Sequence, residues 1–328
     1  MGKFPPRDFY QLAEKYGSIM FLRLGLIPTV VVSSPHAAEQ FLKTHDLNFA
    51  SRPPVDTLKH MAYGQRNLAF SPYGSYWRTM RKICMLELLS RNKISSNQGM
   101  RKEELNLLIE HIKEAAGAGV AVDINAKVTS LSADLTCGMV FGKKYADVDF
   151  DERRFNTVFQ EAVKLAAISN LNDYIPQIAS LDLQGLTKRA KAVAKVFDDF
   201  FEKIIDEHVQ SKDENRTKDF VDVMLSFMGS QETEHKIERE HVKAILLDML
   251  VAAVDPSALA IEWTLSELFK HPEVMKKVQK ELENVVGLDR RLKNLVWRTW
   301  ILRHGCERNL ELHPVSPLIP YESTEIAL

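Results

Sequence analysis

Residues 245–263 read ILLDMLVAAVDPSALAIEW, and this stretch decides the fold. Apolar side chains point in nearly every direction around a 3.6-residue turn, the mark of a helix enclosed by protein. The stretch is of membrane-spanning length, yet it carries Asp248, Asp255, Pro256 and Glu262. Two central acids would each cost about 2.5–3.5 kcal/mol in hydrocarbon, so a buried helix is the better reading. With its flanks it extends over about 238–270, and at 1.5 Å per residue it is ~50 Å long, enough to cross a domain. Pro256 at its middle removes a backbone hydrogen bond. That predicts a bend, or a break against which a ligand lies.

Outward from this helix, periodicity continues at 272–286. Pro272 opens that segment, Gly287 closes it, and Val274, Val278, Leu282 and Val285 form its apolar stripe. Upstream, the same period predicts helices at 101–116, 123–141, 152–168, 186–210 and 218–228. Closer to the N-terminus, a short helix over 8–16 precedes two strands, 19–24 and 29–32, around a Gly25…Pro28 turn. Ser34-Pro35 and Ser71-Pro72 each set a capping hydroxyl before a proline, predicting helices that run to about Thr44 and over 76–89. The fold class is mainly α, with a small N-terminal β-sheet and a long central helix.

Composition narrows the function. Of 328 residues, 45% are hydrophobic and 27% charged, with 43 basic against 44 acidic side chains and a net charge of −1. This is a soluble globular balance with no global attraction to nucleic acid. Cys84, Cys137 and Cys306 are too few for a disulfide framework. Met1-Gly2 is followed by no apolar run, and Pro6 stands where a myristoylation signal needs a hydroxyl. No nucleotide-binding glycine motif or hydrolase elbow occurs. Glu110-His111 and Glu240-His241 lack the second histidine of a zinc protease helix, and His304-x-Cys306 with His313 matches no common zinc spacing. No metal-ion site is expected.

The string Ala252-Ala253-Val254-Asp255-Pro256-Ser257-Ala258, continuing through Glu262-Trp263-Thr264, resembles the long central helix of plant haem-thiolate monooxygenases, the cytochrome P-450 superfamily. His271-Pro272-Glu273-Val274 resembles the start of the family's next helix. Further matches are Phe49-Ala50-Ser51-Arg52-Pro53, Phe70-Ser71-Pro72-Tyr73-Gly74-Ser75-Tyr76-Trp77-Arg78 and Asp182-Leu183-Gln184-Gly185-Leu186, all in family order. The resemblance implies a partial cytochrome P-450 fold and a haem cofactor. It further implies a small organic substrate, with electrons from NADPH–cytochrome reductase at the cytosolic face of the endoplasmic reticulum. With no anchor in this chain, a cytoplasmic or peripheral location is expected. By the same resemblance Trp77 and Arg81 would hold a haem propionate, Ala252 and Ala253 would lie against the haem, and Asp255 would be the acid of the oxygen-activation pair. Pro256 stands at the position of the partner alcohol and has no hydroxyl.

The resemblance fails in places. Before His313-Pro314, Arg308 and Glu311 reverse the family's Glu-x-x-Arg pair. Residues 291–311 are strongly basic and unlike the family, as if read in another frame, which divides the chain into an incomplete domain (1–290), this segment, and a short family-like tail (312–328). The family's haem-binding cysteine loop is not found: around Cys306, Thr299, Leu302, His304 and Arg308 occupy the places of Phe, Gly, Arg and Gly. Without a thiolate the iron lacks the donor that favours O–O cleavage. The sequence therefore predicts a truncated family polypeptide without monooxygenase activity. The alternative is a non-catalytic helical protein that binds a small apolar ligand or a partner without haem.

Overall fold

The computed structural model describes residues 4–144, 152–211, 218–230, 234–287, 300–314, 316 and 318. Helix α1 (Pro5–Tyr16) leads into strands β1 (Ile19–Leu24) and β2 (Ile27–Val32), which pair antiparallel with Phe21 opposite Val30. One face of this hairpin, with Ile19, Phe21 and Val30, is exposed, while Met20 on the other is buried. Gly25 permits the turn: its φ is +61°, and a Cβ there would lie 2.6 Å from the Tyr174 carbonyl oxygen. Helix α2 (Pro35–Glu39) is capped as expected, the Ala37 N–H donating to Ser34 Oγ at 3.2 Å, and continues as a wider turn to Thr44.

Helices α3 (Asp56–Met61) and α4 (Ser75–Ile83) follow. Here the expected Ser71 cap is corrected. The helix begins at Ser75, after Gly74, and the Ser71 hydroxyl donates to the Pro72 carbonyl instead. Then come α5 (Arg91–Ser96), α6 (Gln98–Gly117), α7 (Ile124–Phe141), α8 (Glu152–Ala167), the single turn α9 (Leu171–Tyr174), α10 (Leu186–Gln210) and α11 (Phe220–Ser226). The last are α12 (Arg239–Lys270), α13 (Pro272–Val286) and α14 (Trp300–Leu312). Helix α12 runs unbroken through Pro256, so the predicted break is not formed.

The chain divides into two compact units. One takes the described residues within Met1–Gln98 and Cys137–Val251, with Leu318; the other takes those within Gly99–Thr136 and Ala252–Pro317. Helices α7 and α12 each contribute residues to both units. The core of the first unit is built on α10. Its side chains at three- and four-residue spacing, Ala190, Val193, Phe197, Phe200, Phe201, Ile204 and Ile205, are buried, as are Val242, Ile245 and Leu246 of α12. By length and composition α12 passes for a membrane span, but its N-terminal half is core.

In the second unit, Glu281 of α13 accepts the N–H groups of Ile301 (3.0 Å) and Leu302 (3.2 Å), capping the first turn of α14. Trp263 of α12 stacks on His313, centroids 3.9 Å apart at 9°, and His313 meets Glu267 at 3.1 Å. Residues 300–311 of the basic segment are thus helical. Residues 291–299, and 319–328 of the tail, lie outside the described residues.

Candidate functional site

The first unit holds Trp77 and Arg81, one turn apart on α4. The loop entering α4 is unusual: Tyr63, Gly64 and Gln65 are consecutively left-handed, with φ of 50°, 72° and 60°. Each non-glycine residue there costs roughly 1–2 kcal/mol. The Gln65 side chain offsets this by donating to the Pro53 and Phe70 carbonyls, both at 3.1 Å, and accepting from the Val55 N–H at 3.3 Å. Next along the loop, Asp248 of α12 accepts three bonds, from Asn67 Nδ2 (2.7 Å), Leu68 N–H (2.5 Å) and Ala69 N–H (3.2 Å). Burial pushes the Asp248 carboxyl up to about 6, while those three donors restrain the rise.

Trp77 donates its indole N–H to the Leu68 carbonyl at 3.0 Å, and the Arg81 guanidinium lies 5.3 Å from the centre of the Trp77 ring. Arg81 is exposed and pairs with no carboxylate among the described residues. With no counter-ion among the described residues and the Trp77 ring beside it, this guanidinium is a donor suited to a carboxylate ligand. The Trp77 N–H is already committed to the protein backbone.

The second unit holds Ala252, Ala253 and Asp255 on α12. Ala252 is exposed, and Ala253 and Asp255 are half-buried. Among the described residues the Asp255 carboxylate has no hydrogen-bond partner, and burial raises its pKa above the usual range. Pro256 is half-buried and Ser257 exposed. The reversed pair Arg308 and Glu311 does meet, on an exposed face of α14.

A haem implied by the family resemblance would need an anion donor and an axial thiolate. Arg81 fits the propionates. The cysteines do not fit the iron. Cys84 and Cys137 are buried in helical segments, burial pushes the Cys84 thiol up to about 12, and half-burial raises that of Cys306. A thiolate ligand calls for the opposite shift.

His208, Asp219 and Asp222 bring potential metal-ligand atoms within 4.8 Å of one another. Their atoms are spent on one another and on backbone. His208 Nδ1 is 2.7 Å from the Ile204 carbonyl and Nε2 2.8 Å from Asp219 Oδ2, while Asp219 and Asp222 cap α11 reciprocally. Both ring nitrogens face acceptors, an arrangement that favours the doubly protonated ring. Burial opposes the charge, but the bonds to Asp219 and Ile204 outweigh it and raise the pKa. This stabilisation is complete below the ordinary histidine value of about 6.5 and is lost as pH rises through the raised folded value. Thermal unfolding from about pH 6 to pH 9 is expected to show a falling midpoint, and His208→Gln to remove that slope.

Sequence reasoning missed Asp248 as a site residue. The available signal was an acid inside an enclosed apolar helix, which must find donors. Nothing in the sequence identified residues 67–69 as those donors.

A profile of the Cytochrome P450 family matches residues 2–297. Cytochrome P450 CYP736A12 of Panax ginseng is 43% identical over 337 residues, covering 99% of this chain and 66% of that protein. Cytochrome P450 750A1 of Pinus taeda is 40% identical over 332 residues, covering 97% and 63%. The chain spans just under two thirds of the length of these relatives. A zebra fish cytochrome P450 solved with abiraterone matches with a TM-score of 0.79 at 25% identity, covering 99% of this chain and 73% of that one.

Proposed function

Because the chain belongs to the cytochrome P450 family, we propose that it contributes two parts of a haem-dependent monooxygenase acting on a small organic substrate with reductase-supplied electrons. One is the anion-binding arm, Arg81 on Trp77. The other is the acid on α12, Asp255, beside the small Ala252 and Ala253. When bound, the haem supplies the oxygen chemistry. Arg81 holds a propionate, and Asp255, without a hydrogen-bond partner among the described residues and with its pKa raised by burial, is the local proton carrier without help from a hydroxyl at Pro256. The observation that carries the reading is the exposed Arg81 guanidinium, lying over an indole and lacking a carboxylate partner among the described residues.

We further propose that these 328 residues by themselves do not perform monooxygenation. The unfavourable thiol shifts of Cys84 and Cys306 support this. Titration of the purified chain with hemin tests both points. Binding is expected, with a reduced, carbon-monoxide-bound Soret band away from the thiolate position. Arg81→Ala is expected to weaken that binding about tenfold, the ~1.4 kcal/mol of one charge-assisted bond. A thiolate-type band overturns the inactivity, and undiminished affinity in Arg81→Ala overturns the arm. No hemin binding at all favours a haem-free role.

A further inference from the structure

We propose that Asp248 is the positioning residue of the Trp77–Arg81 arm, acting through a single peptide unit. The Leu68 carbonyl and the Ala69 N–H belong to one planar amide. Asp248 Oδ2 holds its N–H end at 3.2 Å, and the Trp77 indole holds its oxygen end at 3.0 Å. The two other bonds to Asp248, from Asn67 Nδ2 and the Leu68 N–H, stop the loop from sliding along the carboxylate. A rigid amide gripped at both ends transmits rotation: if the carboxylate lets go, the amide tilts and the Trp77 N–H loses its acceptor. A charged carboxylate on the N–H also polarises the carbonyl and strengthens the indole bond. The Trp77 ring, packed against Tyr73 with centroids 5.6 Å apart, carries the Arg81 guanidinium with it. All of these residues lie in one unit. That Arg81 serves a propionate rests on the reading above; the coupling from Asp248 to Trp77 does not.

A loop-stabilising role alone would change unfolding without reaching the indole, so the readout is the Trp77 N–H itself. Protein labelled with 15N at the tryptophan indoles is followed by proton–nitrogen correlation spectra, with the Trp77 signal assigned by its loss in Trp77→Phe. Among the described residues, the titratable groups that feel Asp248 are Tyr76 of α4 and Cys84 in the turn that follows. Burial raises both, Cys84 to about 12, so neither ionises in an acid-to-neutral scan. His235 and His241 contact the Tyr76 ring, and Asp248→Asn retains both, so only a titration lost on that change belongs to Asp248.

The Trp77 signal of the wild-type chain is expected to titrate with Asp248. In Asp248→Asn that titration should vanish and Trp77 indole exchange rise about tenfold, with Trp263 unchanged. Asn67→Ala removes one restraining donor and leaves Asp248 in place, so its midpoint should move to higher pH; this milder variant decides the matter if Asp248→Asn fails to fold. A Trp77 signal flat across the scan, or an unmoved midpoint in Asn67→Ala, overturns the proposal. Absent hemin binding alongside an intact Trp77 titration would remove the haem reading and leave this coupling standing.

Discussion

Asp248→Ala is expected to lower the unfolding free energy by about 4 kcal/mol in mildly acid solution, because it leaves three donors, one buried and two partly buried, without an acceptor. Those donors are the Asn67 amide and the N–H groups of Leu68 and Ala69. The loss should depend on pH in a defined sense. The wild-type carboxyl has a folded pKa of about 6 against 3.8 for the free group. Between these values the folded state holds the extra proton, so wild-type stability falls as pH rises and then levels off above about 6. The drop summed over that window is roughly 3 kcal/mol. Alanine has no such slope, so the gap between the two proteins should narrow as pH rises. Urea unfolding of both at several pH values reads this directly. A gap that widens toward neutral pH would mean that the clamp favours the ionised form more strongly than burial opposes it.

Phe201→Ala is expected to cost about 3–5 kcal/mol through the cavity it leaves and the transfer energy it forfeits. The Phe201 side chain is fully buried on α10, 5.3 Å from Phe200 in an edge-to-face contact and 6.3 Å from Phe197 in a stacked one, with Phe141 of α7 at 6.5 Å. Removing the central ring strips contacts from all three neighbours at once. Phe201→Leu keeps most of the volume and should cost less than about 1.5 kcal/mol. A denaturant series with unchanged slope and a shifted midpoint is the expected record. An alanine variant as stable as wild type would mean that α10 is not the centre of this core.

The elements legible in the sequence were those whose ends carry their own chemistry. Helix α13 lies where Pro272 and Gly287 put it, α2 starts on the Ser34 hydroxyl, and α10 has the bounds its periodicity predicts. Short elements were missed: α3, α5 and α9 are too brief to show a period. Ser71-Pro72 looked like a second cap and is not one, because the chain stays non-helical through an extended Gly74 and α4 begins only at Ser75. The basic run before His313 gave no helical signal tied to the family. Its helix α14 is held by Glu281 at one end and by the Trp263–His313 stack at the other, contacts that separate elements supply.

For the site, Trp77, Arg81, Ala252, Ala253 and Asp255 were singled out by family resemblance alone, which is carried by strings local in sequence. Residue identity in the chain was enough to show that no cysteine sits in a haem-ligand pattern. Only the tertiary structure decided which donors and acceptors are already spent. The Trp77 N–H is taken by Leu68, Asp248 is taken by residues 67–69, and Arg81 and Asp255 have no hydrogen-bond partner among the described residues. The reason is physical. A hydrogen bond depends on which groups meet at about 3 Å, and groups up to 181 positions apart in the chain are brought to that distance only by packing.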